Sequence, residues 1–364
     1  MLGALAADRA RVTGIDAQIQ DLERSLAALR LEKSIVQERL DTYKYPVLAL
    51  PNEIVSEIFI HFLPTYPSCP PLGGPLSPTR LTQICRQWRE IALATHALWR
   101  AVSLSQDAIY HRGDAKQVWL ARSGCLPLSI HMNEYVDDNV PGGPELLAAV
   151  LLHHARVEYL QLRLVNFHLP TIEGGLPLLR HLDLELDYKS PKDLVIRDAP
   201  LLRSVVLDAI AVSSVVLPWT QLTHLTLRIV TIDDCIPVLQ KATNLIHCEL
   251  RLNGSDSKPL PDITLPNLES MCCIYWDSGH TMPESFGIFI VPALRSLEVT
   301  EKFLHPSPID SLKSFILKSG CKLQKVCINS QRSVGKSAYR AAFPSIQFLF
   351  NGSYVGGGKR RAGS

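Results

Sequence analysis

The sequence lacks several features on which whole classes of protein depend. Lys and Arg total 37 against 35 Asp and Glu, and the net charge of +2 gives no basic excess of the kind that nucleic-acid binders show. The longest strongly apolar run, about 146–152, is far shorter than the roughly 20 residues that span a bilayer. No basic segment precedes the apolar start of the chain, so we expect neither a membrane span nor a secretory signal.

Cysteine pairs of the C-x-x-C type are also missing, although the chain has nine cysteines. Cys272 and Cys273 are adjacent, which disfavours a bridge between them. We therefore expect a reducing compartment, the cytoplasm, and no disulfide framework or zinc ribbon. A short basic tail at 353–364 leaves the nucleus open as an alternative. The two N-G-S sequons, at Asn253 and Asn351, are interpreted as chance.

Apolar residues recur at alternating spacings of three and four over residues 12–40. This heptad pattern predicts a coiled-coil helix within residues 1–44 and a homodimer formed through residues 12–40. An alternative is a single helix that folds back on the protein's own core. The a positions are Val12, Ile19, Leu26, Lys33 and Leu40, and the d positions are Ile15, Leu22, Leu29 and Val36.

Two amphipathic segments follow, with a proline-rich stretch between them. In the first, Pro51 is predicted at the first helical position, and Ile54, Ile58 and Phe62 recur at four-residue steps. In the second, Ser77–Pro78 predicts an N-cap and first helical residue. One side of this second helix is predicted to carry Leu81, Ile84, Cys85, Trp88, Ile91 and Ala92. Residues 64–79 contain six prolines and two glycines, which predicts an exposed loop.

Later in the chain, short segments of the form L-x-x-L-x-L return every 20 to 29 residues. This period predicts a leucine-rich-repeat-like solenoid with a parallel sheet over 105–352, and so an α/β fold. The segments LWRAVSL and CLPLSIHM are expected to add irregular strands at its front. The predicted central inward residues are Leu160, Leu182, Val205, Leu225, Cys248, Met271, Leu297, Val326 and Leu349.

Residues between the leucines should point to the open side of that sheet. The set is polar and of mixed charge, which disfavours a ligand of one sign such as DNA. Near its middle we predict partner-binding residues Arg228, Glu249 and Arg251, and the alternative is that this face is merely solvated. The predicted outward residues are His181, Asp183, Glu185, Ser204, Asp208, His224, Thr226, Arg228, His247, Glu249, Arg251, Glu298 and Thr300.

The helix pair resembles the F-box. The resemblance is carried by Leu50-Pro51-x-Glu53, by Cys85-Arg86-x-Trp88-Arg89-x-Ile91-Ala92 and by Leu98-Trp99. The order of F-box, L-W-x-x-V-S-L and weak leucine-rich repeats is similar to that of fungal, mushroom-type F-box-like proteins with degenerate repeats. The proline-rich insertion departs from that pattern by lengthening the loop between the helices.

This resemblance implies that the F-box, expected at 45–104, binds a Skp-family adaptor and thereby a cullin ubiquitin ligase, while the repeats bind a substrate protein. Two sets of F-box residues follow from it. Candidate adaptor contacts are Leu50, Pro51, Ile54, Ile58 and Leu81. Candidate residues of the F-box core are Phe59, Cys85, Trp88, Ile91, Leu98 and Trp99.

Other interpretations remain open at this point. The helix pair could cap the front of the solenoid, or the chain could be a protein-interaction scaffold unrelated to ubiquitin. Val334-Gly335-Lys336-Ser337 resembles the end of a phosphate loop, but Ser330 replaces its first glycine. With no catalytic constellation in the sequence, we expect no enzyme activity, no cofactor and no metal, and neither nucleic acid nor membrane as a partner.

Overall fold

The computed structural model describes most of the chain, in two compact units, Met1–Ile58 and Phe59–Ser364. The predicted boundaries at 44/45 and 104/105 stay predictions, and the basic tail at 353–364 lies outside the described residues. Among the described helices, none is long and apolar enough to cross a membrane. The described residues are 2–42, 46–104, 113–132, 136–137, 148, 150–165, 175–187, 193–253, 260–275, 285–329 and 332–352.

The first unit contains the long helix α1, Leu2–Thr42, and a short 3-10 turn, Pro46–Ala49. The apolar a and d side chains of α1 are 46–70% exposed, so its heptad seam is a surface feature. Helix α2, Asn52–Phe62, begins in this unit. The Pro51 carbonyl accepts hydrogen bonds from the amides of Ile54 and Val55, at 3.0 and 3.1 Å. Pro51 therefore precedes the helix, and the predicted helix start is one residue early.

The second amphipathic segment forms two helices rather than one. Helix α3, Pro78–Leu81, starts as predicted, since the Ser77 hydroxyl accepts from the Thr79 amide at 3.2 Å. The chain then turns, and α4, Arg86–Ala94, restarts with Cys85 as its N-cap. The turn carries Ile84 outward, where it is 59% exposed. The prediction that Ile84 lines the inner side is wrong, because it assumed one continuous helix.

A large parallel sheet dominates the second unit, with its main strands in chain order. The segments LWRAVSL and CLPLSIHM supply β1 and β2, as expected. Strand β3 pairs with β4 beside the main path, and β6–β8 and β11–β13 form two small parallel sheets. The strands are β1 Ala101–Leu104, β2 Leu128–Met132, β3 Val136–Asp137, β4 Val157–Val165, β5 His181–Leu186, β6 Leu194–Val195, β7 Ser204–Asp208, β8 Val215–Val216, β9 His224–Val230, β10 His247–Leu252, β11 Ile263–Thr264, β12 Ser270–Tyr275, β13 Phe289–Ile290, β14 Ser296–Thr300, β15 Lys325–Asn329 and β16 Gln347–Asn351.

One row of buried apolar side chains crosses the sheet in register. All the central residues predicted from Leu160 to Val326 lie in it, and each is at most 3% exposed. The last strand differs, because Val326 pairs with Phe348 while Leu349 is 40% exposed. The assignment of Leu349 was wrong by one residue, which in a strand reverses the face. The inward row is Val102, Ile130, Leu160, Leu182, Val205, Leu225, Cys248, Met271, Leu297, Val326 and Phe348.

Short helices connect many of the strands. Thr231 and Asp234 form a capping box at the start of one of them, so two orphan amides there are satisfied reciprocally. Another ends at Gly320, whose φ of +65° is a left-handed conformation that favours glycine. These helices are α5 Gly113–Arg122, α6 Ala209–Ser214, α7 Ile232–Leu239, α8 Pro308–Ser319 and α9 Lys336–Ala342.

The proline-rich insertion is attached to the front of the sheet. The Pro70 carbonyl accepts from the Ser103 amide of β1 at 3.1 Å, and Pro71 forms a parallel bridge with Ser103. The Ser129 hydroxyl of β2 donates to the Pro67 carbonyl at 2.6 Å. The insertion is a loop, as predicted, and Pro67, Ser68 and Pro71 are exposed, but Pro70 is buried and the loop pairs with the sheet instead of standing free. Proline lacks an amide but keeps a carbonyl acceptor, and the Pro70 carbonyl covers part of the edge strand β1.

Tyr66 fixes the same insertion through its side chain. Its hydroxyl donates to a Glu158 carboxylate oxygen at 2.8 Å, and the Arg100 guanidinium lies 3.7 Å from the centre of its ring. The ring also meets Tyr159 edge to face, with 5.6 Å between centroids. Burial and the Glu158 carboxylate raise the pKa of the Tyr66 phenol, so it stays protonated and able to donate at neutral pH.

We expect Tyr66→Phe to lower the free energy of unfolding by about 1 kcal/mol, the usual value of one such hydrogen bond. Tyr66→Ala should cost about 2–3 kcal/mol, because the ring packing and the contact with Arg100 are lost as well. Urea denaturation followed by circular dichroism measures both. Equal stability of Tyr66→Ala and the wild type would show that the insertion does not cover the front of the sheet in solution.

Candidate functional site

Helix α2 carries apolar side chains on two neighbouring faces, about 100° apart. Val55 and Phe59 are each 1% exposed, and Phe59 packs edge to face on Trp88 with 4.9 Å between ring centroids. One step round the helix, Ile54, Ile58 and Phe62 are 49, 45 and 39% exposed. They follow at four-residue intervals and so form one stripe on the helix surface, here called the outer stripe. A stripe of this kind on a helix whose other face is already buried is typical of a protein-binding surface.

The predicted adaptor contacts do not all share this surface. Ile54 and Ile58 lie in the outer stripe, Pro51 is exposed just before the helix, and Leu50 is half-buried. Leu81 is only 4% exposed, so it lies in the interior and is not available to a partner unless its helix moves. Phe62 lies in the outer stripe but was not among the predicted contacts, although its four-residue spacing from Ile58 was the signal that could have added it.

The residues predicted as the F-box core include two tryptophans, Trp88 and Trp99. The Trp99 indole is fully buried, donates to the Ala92 carbonyl at 2.8 Å, and meets Trp119 of α5 edge to face at 5.0 Å. Phe59, Ile91 and Leu98 are buried as well, whereas Cys85 and Trp88 are half-buried. These contacts hold the helical segment together and also join it to the chain that follows.

Residues 47–105 match a family model described as F-box-like. These residues form an F-box-like domain. The match ends at the first strand of the sheet, and the curated proteins gave no match to the chain. The outer stripe of α2 and the six residues predicted as the F-box core lie within the F-box-like domain, whereas Trp119 follows it.

The open face of the sheet, opposite the inward row, is a second candidate surface. Strand pairing places His181, Ser204, His224 and His247 in one row across β5, β7, β9 and β10. The rings of His224 and His247 stack with 4.5 Å between centroids, close to the usual spacing of about 4.8 Å between neighbouring strands. His181 and Ser204 share a hydrogen bond of 2.9 Å through Nδ1. In the described chain no group of three His, Cys, Asp or Glu side chains could hold a metal ion.

Most charges on the open face are paired with one another. The Arg228 guanidinium reaches across β7 to both carboxylate oxygens of Asp183, at 3.2 and 3.3 Å, and Asp183 is only 6% exposed. On β10, the Arg251 Nε lies 2.7 Å from a carboxylate oxygen of Glu249. The predicted partner-binding residues are therefore half-buried members of internal ion pairs. Reversing the charge of Arg228 would leave Asp183 buried beside a like charge, which is destabilising.

A cleft of about 420 Å³ lies where the insertion meets the open face. Its walls combine the insertion with β2, β4 and β5, and no ionised carboxylate, lysine or arginine is among its lining residues. Burial lowers the pKa of His131 and His181, which keeps both imidazoles neutral at pH 7. The cleft therefore offers uncharged hydrogen-bonding groups. The lining residues are Pro67, Ser68, Cys69, Ser129, Ile130, His131, Tyr159, Leu160, Gln161 and His181.

The segment that resembles a phosphate loop is anchored to a buried carboxylate. Glu301 is 1% exposed and accepts from the Ser333 amide and hydroxyl and from the Tyr339 hydroxyl, the last at 2.7 Å. Gly335 is the N-cap of the short helix α9. These contacts give the segment a structural role at the end of the sheet.

Asp208 ends β7 on the open face and caps α6. Its carboxylate accepts from the Ala211 amide at 2.7 Å and from the Leu186 amide at 2.9 Å. Burial raises its pKa to about 6, with a further contribution from Glu185, although the two amides oppose the shift. Folding therefore takes up a proton between the unfolded pKa, near 4, and pH 6. The contribution of Asp208 to stability is greatest below pH 4 and is lost as the pH rises through 6.

We expect the Asp208→Asn variant to lose this pH dependence, because its side chain does not titrate. The wild type should lose on the order of 1–2 kcal/mol relative to the variant between pH 4.5 and 7.5. Urea denaturation of both proteins at the two pH values measures the difference. Parallel pH profiles for the two proteins would show that Asp208 titrates normally.

Proposed function

We propose that this chain is the substrate-recognition subunit of a Skp-cullin-F-box type ubiquitin ligase and has no catalytic activity of its own. In this proposal the F-box-like domain binds a Skp-family adaptor, and the sheet binds a substrate protein. The observation that carries it is the F-box-like match at 47–105 together with the uncovered outer stripe of α2. All nine cysteines lie in described residues and are free thiols, which supports the cytoplasm or nucleus as the place of action.

The outer stripe has the properties that adaptor binding requires. Three large apolar side chains, Ile54, Ile58 and Phe62, lie exposed along one helix, whose neighbouring face, with Val55 and Phe59, is already packed. Covering them would remove apolar surface from water at little cost in backbone ordering, because the helix exists before binding. Pro51, three residues before Ile54, is exposed as well.

For the adaptor, we expect the double variant Ile54→Ala and Ile58→Ala to weaken binding at least tenfold, or about 1.4 kcal/mol. Alanine keeps the helix intact, and neither side chain is buried, so the fold should not change. Isothermal titration calorimetry of the full chain with a purified Skp-family adaptor measures the affinity.

Leu317→Ala on α8 is a matched control, because this apolar side chain is 85% exposed but lies outside the F-box-like domain. It should bind the adaptor as the wild type does. If the double variant also keeps wild-type affinity, the adaptor does not bind through the outer stripe.

The second part of the proposal concerns the sheet. We propose that it is a degenerate leucine-rich-repeat solenoid, like those of the fungal, mushroom-type F-box-like proteins. Its main strands are parallel, follow chain order and share one inward row. Stacked strands of this kind present their outward residues as one continuous surface, which repeat proteins use for binding. We propose that the open face, including Arg228, Glu249 and Arg251, contacts the substrate.

The charges of the open face are already paired, so a useful test exchanges the two members of an ion pair and keeps the pair itself. In the double variant Glu249→Arg and Arg251→Glu the two charges exchange places on β10 and can still attract each other. We expect this variant to fold normally and to bind the principal partner at least tenfold more weakly, since rigidly placed charges determine which surface fits. The partner is first identified by proximity labelling with the full chain, then purified for titration.

A matched control exchanges another ion pair, Asp262→Lys with Lys318→Asp, whose N–O distance is 2.6 Å in the wild type. This pair joins α8 to the chain before β11 and lies away from the open face. Equal binding by the open-face variant, the control and the wild type would exclude Glu249 and Arg251 from the interface. The cleft beside the insertion would then be the next region to test.

One observation favours a second candidate function. The apolar seam of α1 is exposed over residues 12–40, a length suited to joining copies of the chain. We propose a homodimer through this seam. A scaffold that uses the coiled coil and the sheet without a ubiquitin ligase would share this dimer. Co-purification separates the two functions, because only the ligase subunit should form a stoichiometric complex with a Skp-family adaptor.

A further inference from the structure

The charged residues at the e and g positions beside the seam of α1 favour some pairings of two copies over others. The pairings differ in direction, parallel or antiparallel, and in alignment. The a and d side chains of residues 12–40 are exposed on a helix that continues without a break from Leu2 to Thr42. We infer that two copies pair along this seam in parallel and in register. This inference rests on the proposed homodimer and adds its direction and alignment.

In a parallel dimer, each g position faces the e position of the next heptad in the other copy. One of these contacts joins opposite charges, Arg11 and Asp16, and symmetry repeats it. The remaining contacts join at most one charged residue each, so no like charges oppose one another. The four contacts are Arg11 with Asp16, Gln18 with Glu23, Ser25 with Arg30, and Glu32 with Gln37.

Lys33 is the one polar residue in the row of a positions. In the parallel arrangement the two Lys33 side chains share a layer, which costs stability. Each Lys33 side chain packs into a hole on the other copy, and the g residue that helps to form this hole is Glu32. The glutamate therefore lies beside the lysine of the opposite chain. Every other layer from Val12 to Leu40 is then apolar.

Two antiparallel registers bring together more like charges than opposite charges. When the pair is centred on residue 24, Arg11 faces Arg39 and Glu23 faces Glu23, against one attractive contact, Asp16 with Arg30, and Lys33 lies against Ile15. When the chains are displaced by one heptad toward the N-terminus, Arg9 faces Arg30 and Asp16 faces Glu23, against one attractive contact, Arg11 with Glu32. Within residues 11–40 the parallel dimer has repulsion in the Lys33 layer alone, and it is the better arrangement of the three.

A third antiparallel register, displaced one heptad toward the C-terminus, pairs Glu23 with Arg30 and has no opposed like charges. It leaves Val12 outside the paired region and sets Lys33 against Leu22. A charge placed against an apolar side chain is costly. The parallel arrangement keeps Val12 in the seam and places Glu32 next to Lys33, and it is therefore the better fit.

A parallel coil has a consequence for binding. Both chains leave it at the same end, so two copies of the F-box-like domain and two sheets start from neighbouring points. A partner with two binding sites could then engage both copies, and the second contact would be intramolecular. In an antiparallel coil of this length the two exits would be separated by about 40 Å or more, at 1.5 Å per residue.

A single introduced cysteine tests the direction. In the parallel dimer Leu26 of one copy meets Leu26 of the other, so Leu26→Cys should form a disulfide under mild oxidation. The antiparallel registers place Leu22, Leu29 or Ile15 opposite Leu26 instead. We expect most of the Leu26→Cys full chain to run as a covalent dimer on a non-reducing gel.

Two controls account for the other cysteines and for the seam. The wild type measures cross-linking through its nine native thiols, and Arg24→Cys places a thiol on the outer side of the same helix, where no cross-link should form. Leu29→Cys tests a d layer in case the first variant disturbs the pairing, and it should also cross-link to itself.

Light scattering of the wild-type full chain separates the possible failures. A dimer whose Leu26→Cys and Leu29→Cys variants do not cross-link overturns the parallel arrangement but leaves the proposed homodimer. A monomer overturns both. Neither result affects adaptor binding, which is measured independently on the outer stripe of α2.

Discussion

The register of one inward row of apolar side chains controls the rest of the sheet. Leu182, Val205 and Leu225 lie opposite one another on neighbouring strands, and the same row continues to β1 in one direction and to β16 in the other. Because the side-chain period of a strand is two, this row determines which residues face outward. The stacked histidines, the Arg228–Asp183 pair and the cleft beside the insertion all occupy positions that this register assigns.

Helix α2 carries a wide apolar surface of which only part is covered. Val55 and Phe59 are buried, whereas Ile54 and Ile58, about 100° away round the helix, are exposed. A helix in a protein interior can bury a face of this width, so the sequence alone does not decide which side stays uncovered. The exposed outer stripe is the physical basis for proposing a protein partner there.

Elements with a strong period were predictable from sequence, and elements held by long-range contacts were not. The inward residues from Leu160 to Val326 follow directly from alternation, and so does most of the polar open face, although Thr300, predicted to point outward, is 3% exposed and accepts from the Tyr275 amide. The error at Leu349 arose because Phe348, Leu349 and Phe350 are all apolar, so alternation alone could not decide between two registers. The docking of the insertion depends on Tyr66 reaching Glu158, some ninety positions later, which no local pattern reveals.

In the F-box-like domain, the predicted adaptor contacts differ in their exposure. Ile54 and Ile58 are exposed as adaptor contacts must be, whereas Leu81 is buried. The difference comes from the turn before α4, which separates α3 from the rest of the second amphipathic segment and cannot be inferred from periodicity. The ion pairs of Arg228 with Asp183 and of Arg251 with Glu249 could not be predicted either. A list of outward residues does not show which of them pair with one another.

Hydrogen–deuterium exchange of the full chain, with and without a purified Skp-family adaptor, tests the central claim most directly. Adaptor binding should slow exchange in residues 52–62, the span of α2, and leave the strands from β5 to β15 unchanged. Unchanged exchange in α2 at saturating adaptor, or protection confined to the open face of the sheet, would contradict this claim.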